Sequence, residues 1–298
     1  MFARLFAEHG LSLDRLRALV EVGAAGSIVM AAGGDPAKQS LYSRQIKELE
    51  DFFRTTLTER QGKGLRLTPS GRELARIARF FLLGLATFQR GCLAEGQAFR
   101  IGASSTFIQL FLLPVLANAP AVRTRISYSL ETAANDEVER RLHDLTLDFG
   151  VVTSSALSRP LQLAAVGEWR LRLWAPKALC ASARRAAEAF QAKRLPLVLP
   201  TQEPLPFEHP ALKDYEPRLT CPTFLEANAA LQQQGAAALL PDFINPRTSA
   251  RGLLKVSVPA LDAEVFHYRL AWNPRLLRLN PHASRVRDWL LESLAERL

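Results

Sequence analysis

Apolar residues recur every three or four positions at Leu13, Leu16, Leu19, Val20 and Val22, which predicts a helix capped by Ser12 and ending near Gly23–Gly26. Ser27 is placed to cap a short second helix, Ile28–Ala32, broken by Gly33 and Gly34. Asp35 followed by Pro36 is a helix start: a side-chain acceptor, then a residue without an N–H to satisfy. The third helix is predicted over Pro36–Phe53, with Leu41, Tyr42, Ile46, Leu49, Phe52 and Phe53 facing a core. Lys38, Gln39, Ser40, Ser43, Arg44 and Lys47 fall largely on its other side. Two short helices and a longer one in this order make a helix-turn-helix. The polar flank of its third helix suits the major groove.

In that setting Gln39 matches an adenine edge and Lys38 a guanine edge or a phosphate. Ser40 and Ser43 are small enough for close approach, and Arg44 suits a phosphate. The segment Thr58–Thr68 places Lys63 between Gly62 and Gly64, then alternates Leu65, Arg66 and Leu67. This pattern predicts a glycine turn and a short strand, a wing that offers Lys63 and Arg66 to a phosphate backbone. Thr68-Pro69 starts another helix, on which Leu74, Ile77, Ala78, Phe81, Leu85 and Phe88 form one apolar stripe. Leu74, Ile77, Phe81, Leu85 and Phe88 are the candidate dimerisation residues, because a long solitary stripe needs a cover. Packing on the chain's own C-terminal part is the other cover available to it.

From Phe99 the period changes. Strands are predicted at Phe99–Ala103, Arg125–Leu130 and Leu147–Val152, with helices at Phe107–Ala117 and Asn135–Asp144 between them. Further strands are predicted near Arg170–Trp174, Pro196–Leu199, Ala236–Leu240 and Val265–Trp272, with a last helix at His282–Arg297. This alternation implies a mostly parallel sheet covered by helices. Ligands of such sheets sit beyond the carboxyl ends of the strands. The loops there carry Ser104, Ser105 and Thr106, then Thr153, Thr201, Gln202 and Asp242. Their hydroxyls, with free backbone amides, suit a small anion, so a carboxylate-bearing effector is expected. The loop Pro200–Pro210 is proline-rich and reads either as a stiff lid or as an insertion without function.

The chain has 298 residues, 48% hydrophobic and 22% charged, which suffices for a sizeable core and more than one domain. A formal net charge of +9 favours a polyanionic partner, and the excess is shared along the chain, so the motif rather than the charge locates the reader. Cys92, Cys180 and Cys221 have no metal-ligand spacing, so no metal site and no cofactor are expected. Widely spaced thiols suit a reducing cytoplasm; a redox pair of Cys180 with Cys221 is left open. The segment MFARLFAEHG lacks the apolar core of a secretory signal, and no stretch is long enough to span a membrane. No nucleophile elbow, P-loop, HExxH or dinucleotide fingerprint stands in a supporting context, which speaks against an enzyme.

Residues 12–90 resemble the N-terminal part of LysR-type transcriptional regulators. The resemblance lies in Ala25-Gly26-Ser27, Ala31-Ala32, Ser43-Arg44-Gln45-Ile46, Leu49-Glu50 and Leu67-Thr68-Pro69-Ser70-Gly71, in order and spacing. Lys38-Gln39-Ser40-Leu41-Tyr42 stands where the family has Ser-Gln-Pro-Ala-Leu. The chain departs from the family at Gly33, Gly34 and Asp35 in the turn, at Ile28-Val29-Met30 on the second helix, and at Arg54, where a glycine is usual. The C-terminal half resembles the family mostly in architecture and in the run Gly235–Pro241.

The resemblance implies an α/β protein: a winged helix-turn-helix (residues 1–68), a linker helix (69–98), and an effector domain of two Rossmann-like subdomains akin to periplasmic binding proteins (99–298). Subdomain I is placed at 99–163 and 266–298, subdomain II at 164–265. The implied partners are double-stranded DNA, read by Ser27, Lys38, Gln39, Ser40, Ser43, Arg44, Lys47, Lys63 and Arg66, a second copy or three more copies of the chain, a small-molecule effector, and RNA polymerase as an optional further partner. Gln202 and Glu203 replace the family's small, glycine-rich turn, which alters or closes the pocket. Two other readings stay open: an effector-independent regulator working through a protein partner, and an α/β solute-binding protein or enzyme whose N-terminal helices only dimerise.

Overall fold

A computed structural model of the chain describes residues 5, 10–61, 64–92, 96–119, 126–203, 211–233, 235–244 and 252–298. The chain divides into two compact units. One comprises Met1–Gln97 with His143–Leu145 and Arg275–Asn280, and the other Ala98–Leu142, Thr146–Pro274 and Pro281–Leu298.

The first unit opens with α1 (Leu13–Ala25), α2 (Ile28–Ala31) and α3 (Pro36–Phe53). Each start is capped by the residue the sequence offers. Ser12 accepts from the Arg15 amide, Ser27 from the Met30 amide at 3.2 Å, and Asp35 from the Ala37 amide at 2.9 Å. Gly33 and Gly34 take φ of 62° and 84°, a left-handed pair that turns the chain between α2 and α3 without steric cost. α3 ends at Arg54, which itself adopts the left-handed cap (φ 52°) where glycine is usual. Strands β1 (Thr58–Gln61) and β2 (Gly64–Leu67) pair antiparallel as the wing, and α4 (Pro69–Cys92) follows.

Leu16, Leu19, Val22, Ile28, Tyr42, Ile46, Leu49, Leu57, Leu67, Ala75 and Ala78 form one core. Three expected core residues do not join it: Leu13 and Leu41 are exposed, and Phe52 is half-buried with its ring edge-on to Phe53 at 4.9 Å. Leu13 lies in the first turn of α1 and Leu41 on the outer side of α3, and among the described residues no element covers either. Conversely, Leu74 packs against this core, so the first turns of α4 belong to the winged domain rather than to a free linker. Polar ties set the crossing of α1 and α3: the Tyr42 hydroxyl donates to Glu21, and Arg15 pairs with Glu48.

The second unit holds two five-stranded sheets. The first has the order β4-β3-β5-β12-β6, built from β3 (Gln97–Ala103), β4 (Ile126–Thr132), β5 (Phe149–Val152), β6 (Gln162–Trp169) and β12 (Phe266–Trp272). The second has the order β11-β7-β10-β8-β9, from β7 (Leu171–Pro176), β8 (Leu197–Pro200), β9 (Leu219–Cys221), β10 (Ala237–Pro241) and β11 (Leu253–Val256).

The sheets are mixed, not mostly parallel: β3–β5, β8–β10 and β8–β9 run parallel, whereas β12 runs antiparallel to β5 and β6, and β7 to β10 and β11. Strands such as β6, β9 and β11 escape a sequence reading because they are short or carry irregular alternation. β6 stays in the first sheet through Trp169, so the crossover falls at Arg170 and not at 163–164. Trp169 is buried there, stacked on Phe266 of β12 at 4.5 Å and edge-on to Phe224, which starts the helix after β9, at 6.0 Å, and so ties the crossover to the first sheet and to that helix.

Helix α5 begins as Ser105–Phe107, widens into a π-helical turn over Ile108–Leu112 and closes as Leu113–Ala117. α6 (Asn135–His143) follows β4 and α7 (Ala183–Gln191) follows β7. α8 (Phe224–Gln232) carries a complete capping box between Thr223 and Glu226. α9 (Pro259–Asp262), α10 (Pro274–Leu279) and α11 (Pro281–Ala295) complete the chain.

Candidate nucleic-acid interface and ligand cavity

On α3 the buried residues Tyr42, Ile46 and Leu49 define the inner side. Lys38, Ser40, Arg44 and Lys47 are exposed, and Gln39 and Ser43 are half-buried at the edges of that face. Lys38 leans over the Tyr42 ring at 5.2 Å, and its hydrogen bond with the Tyr42 hydroxyl, then the charge of that group, hold its ammonium above the usual lysine range. Lys47 pairs with Asp51 at 3.4 Å and Glu50 at 3.7 Å, which turns its charge away from the start of the helix.

Ser27 and Arg66 come together. With Met30 and Arg72 they line an open cleft of about 430 Å³ between the α1–α2 turn and the wing strand. Arg72 is fixed there by donating to the Leu67 carbonyl at 2.7 Å. Lys63 lies outside the described residues. Glu50 anchors the wing: its Oε1 accepts from the amides of Leu57 (2.8 Å) and Thr58 (2.9 Å) and from the Thr58 hydroxyl. Val29 and Met30 stand exposed on α2, at the surface beside Ser27.

In the second unit a cavity of about 250 Å³ opens beside the start of α5 and of α6. Of the residues expected at a ligand, Ser104, Thr153, Thr201 and Gln202 line it. Ser105 does not; its hydroxyl accepts from Gln109 at 3.2 Å. Thr106 does not either: it is fully buried and donates to Glu203 through its amide (3.2 Å) and its hydroxyl. Asp242 stands elsewhere, accepting from the Arg170 amide at 3.1 Å and facing Lys177 and Lys255 across a separate open depression. β10 runs parallel to β8, so the strand-end rule puts Asp242 at the same side of the sheet as Thr201, but Asp242 is held back on Arg170 at the start of β7 and does not line the cavity.

The cavity contains residues the sequence reading did not assign to it: Asn135, Asp136, Tyr268 and Glu203. Asn135 exchanges two hydrogen bonds with Thr153, 2.8 Å from its Nδ2 to the hydroxyl and 3.3 Å from the Thr153 amide to its Oδ1. Glu203 is only 5% exposed. Burial pushes its carboxyl up, and the bonds from Thr106, with weaker pulls from Ser104 and the Phe224 amide, oppose that. Its Oε2 is buried without a hydrogen bond of its own, as is the Tyr268 hydroxyl. Burial, and then the Glu203 charge, raise the Tyr268 phenol well above its ordinary value.

Among the described residues no Lys, Arg or His lines this cavity, so an anionic effector finds no cationic partner among them. Arg269, close by, is committed to the carbonyls of Thr153 (3.1 Å) and Ser154 (3.3 Å). The loop continuing from Glu203 to Pro210 lies outside the described residues beyond 203.

Cys180 and Cys221 are not in a disulfide. Burial pushes the Cys221 thiol up, which lowers its thiolate fraction and its reactivity. Among the described residues no group of His, Cys, Asp and Glu is arranged to hold a metal ion, and no helix is long and apolar enough to cross a membrane.

Residues 13–72 match the family model for the bacterial regulatory helix-turn-helix protein, lysR family, and residues 94–295 match the LysR substrate binding domain. The HTH-type transcriptional regulator HdfR of Yersinia pestis (strain Pestoides F) is 24% identical over 166 residues, 55% of this chain and 57% of HdfR. The chain thus spans a little over half the length of the curated relatives it matches. Among solved structures, full-length LysG from Corynebacterium glutamicum, solved with its effector Arg, superposes with a TM-score of 0.67 at 15% identity, covering 96% of this chain and 99% of LysG. ArgP from Mycobacterium tuberculosis gives a TM-score of 0.67 at 20% identity, covering 94% and 96%. Such low identities establish the fold, whereas the two family models together span the reader and both sheets: the chain belongs to the LysR family of transcriptional regulators.

Proposed function

We propose that the chain is a DNA-binding transcriptional regulator that reads a pseudo-palindromic promoter site as a homo-oligomer and responds to a small molecule in its C-terminal domain. The observation that carries this reading is the winged helix-turn-helix, with the polar, exposed flank of α3 beside the cleft shared by Ser27 and Arg66. In such readers base edges are read by the N-terminal part of the recognition helix and phosphates by flanking residues. Gln39, Ser40 and Ser43 are assigned to base edges, and Lys38, Arg44, Arg66 and Ser27 to the backbone. Lys47 contributes least, since its carboxylate partners already hold it. The net charge of +9 supports a polyanionic partner.

Selection of bound fragments from the genome, followed by fluorescence anisotropy on the selected site, tests the reading; equal affinity for that site and for random duplex would refute it. Two variants resolve the roles. Gln39→Ala lowers discrimination at one base pair by about 1–3 kcal/mol and leaves thermal stability unchanged. Arg66→Ala weakens specific and random DNA alike, and the slope of log K against log salt becomes shallower by about one per protomer. A sequence-selective loss for Arg66→Ala would instead place it on a base.

A further inference from the structure

The cavity beside α5 and α6 has an unusual charge for a site expected to hold an anion. The Thr106 amide and hydroxyl, buried at the start of α5, donate to the carboxylate of Glu203 and are not available to a ligand's carboxylate. The chain thus supplies a carboxylate of its own to these donors from the loop after β8. What remains open is acidic: Glu203 inside, Asp136 exposed at the rim, and, among the described residues, no basic side chain in the lining. Glu203 Oε2 is a buried acceptor without a donor, and the adjoining Tyr268 hydroxyl is buried and unpaired as well. A native structure leaves few such groups bare, so a pair of them at one cavity marks where a ligand's polar head belongs. Phe107 and Val151 supply an apolar wall. At about 250 Å³ the space lies below the ~300–1,000 Å³ of drug-sized sites.

We infer that this cavity takes a small organic cation, a primary ammonium or guanidinium compound with a short apolar body. Its N–H groups donate to Glu203 Oε2 and the Tyr268 oxygen, and its charge is balanced by Glu203 and Asp136. Glu203 is the residue that sets this preference, since it both occupies the Thr106 donors and offers the acceptor. The inference rests on reading the cavity as an effector site, and it is independent of which DNA the protein reads.

Matched butyl probes at constant ionic strength test it on the full chain: n-butylammonium, n-butylguanidinium, n-butyrate and n-butanol, followed by thermal shift and isothermal titration calorimetry. The two cations raise Tm saturably, and butyrate and butanol do not. Glu203→Gln weakens the cations by about tenfold or more, because a desolvated charge partner is lost. Asp136→Asn, on the exposed rim, weakens them by a smaller factor that shrinks with salt. The unliganded Tm of Glu203→Gln reports whether it folds; if it does not, Asp136→Asn and the probe series still decide. Butyrate stabilising as well as butylammonium would overturn the cation preference and keep the effector site. Stabilisation by none of the probes would overturn both, leaving Glu203 as an internal plug in an effector-independent regulator. DNA binding, measured separately on the same preparation, is untouched by either result.

Discussion

Phe81→Glu is expected to leave the protein monomeric and to lower its affinity for a two-half-site operator by at least about a hundredfold, while binding to a single half-site is unchanged. Ile77, Phe81, Leu85 and Phe88 stand exposed along one side of α4, with Phe88 73% exposed. Their spacing of four, four and three residues is that of a helical seam. An exposed apolar stripe of this kind is the signature of an interface. A carboxylate in its middle is desolvated against the partner helix without a counter-charge, which such an interface does not tolerate. Joining two readers makes the second half-site an intramolecular event, and losing that link removes about 10²–10⁴ of apparent affinity. Analytical ultracentrifugation and anisotropy on full and half sites check both parts. A variant that stays dimeric with full operator affinity would show that the stripe is covered in some other way.

Gly71→Ala is expected to destabilise the winged domain by about 2–4 kcal/mol, the range of overpacking against an element that cannot move. A Cβ at Gly71 would stand 2.1 Å from the Leu57 carbonyl oxygen. That oxygen is held from both directions: it accepts from the Thr68 amide at 3.0 Å, and the Leu57 amide is fixed by Glu50 at 2.8 Å. Gly71 in turn donates to the Thr68 hydroxyl at 3.0 Å, so α4 cannot slide away without giving up its own cap. The transition that reports this domain should fall by roughly 10–20 °C, with loss of DNA binding at the growth temperature. Gly235→Ala is the control. Nothing lies within 4 Å of a Cβ there and its φ is not positive, so its effect should stay within about 0.5 kcal/mol. Equal effects of the two substitutions would show that Gly71 is not a packing constraint.

The reader was legible because its signals are local. Ser12, Ser27 and Asp35-Pro36 mark helix starts by hydrogen bonding to their own next turn, and the structure uses each of them. The left-handed pair Gly33 and Gly34 and the periodicity of Tyr42, Ile46 and Leu49 are equally local. The same periodicity misplaced Leu13 and Leu41, because a helical stripe gives an angle and says nothing about whether a neighbour covers that turn. Leu74 shows the converse: it lies on the stripe of α4 but is within reach of the winged core.

The cavity was legible only in part. Ser104, Thr153, Thr201 and Gln202 follow from the rule that loops at strand ends converge, which holds where β3, β5 and β8 run parallel. Asp242 also follows a parallel strand, β10, but its carboxylate accepts from the Arg170 amide instead of facing the cavity, a pairing across 72 residues that no strand-end rule records. Glu203 was readable as a departure from the family's small turn, but its partner Thr106 lies 97 residues away in the chain. No local pattern records that pairing.

The sequence by itself therefore determined the helix boundaries, the wing, the polar flank of α3 and the alternation of the C-terminal half, since each is written in spacings of a few residues. Tertiary structure alone decided the crossover at Trp169, the mixed sheet order and the sign of charge in the cavity. These depend on which distant segments meet, and a carboxylate's role is set by the donors and the dielectric around it, which the folded chain assembles from remote parts.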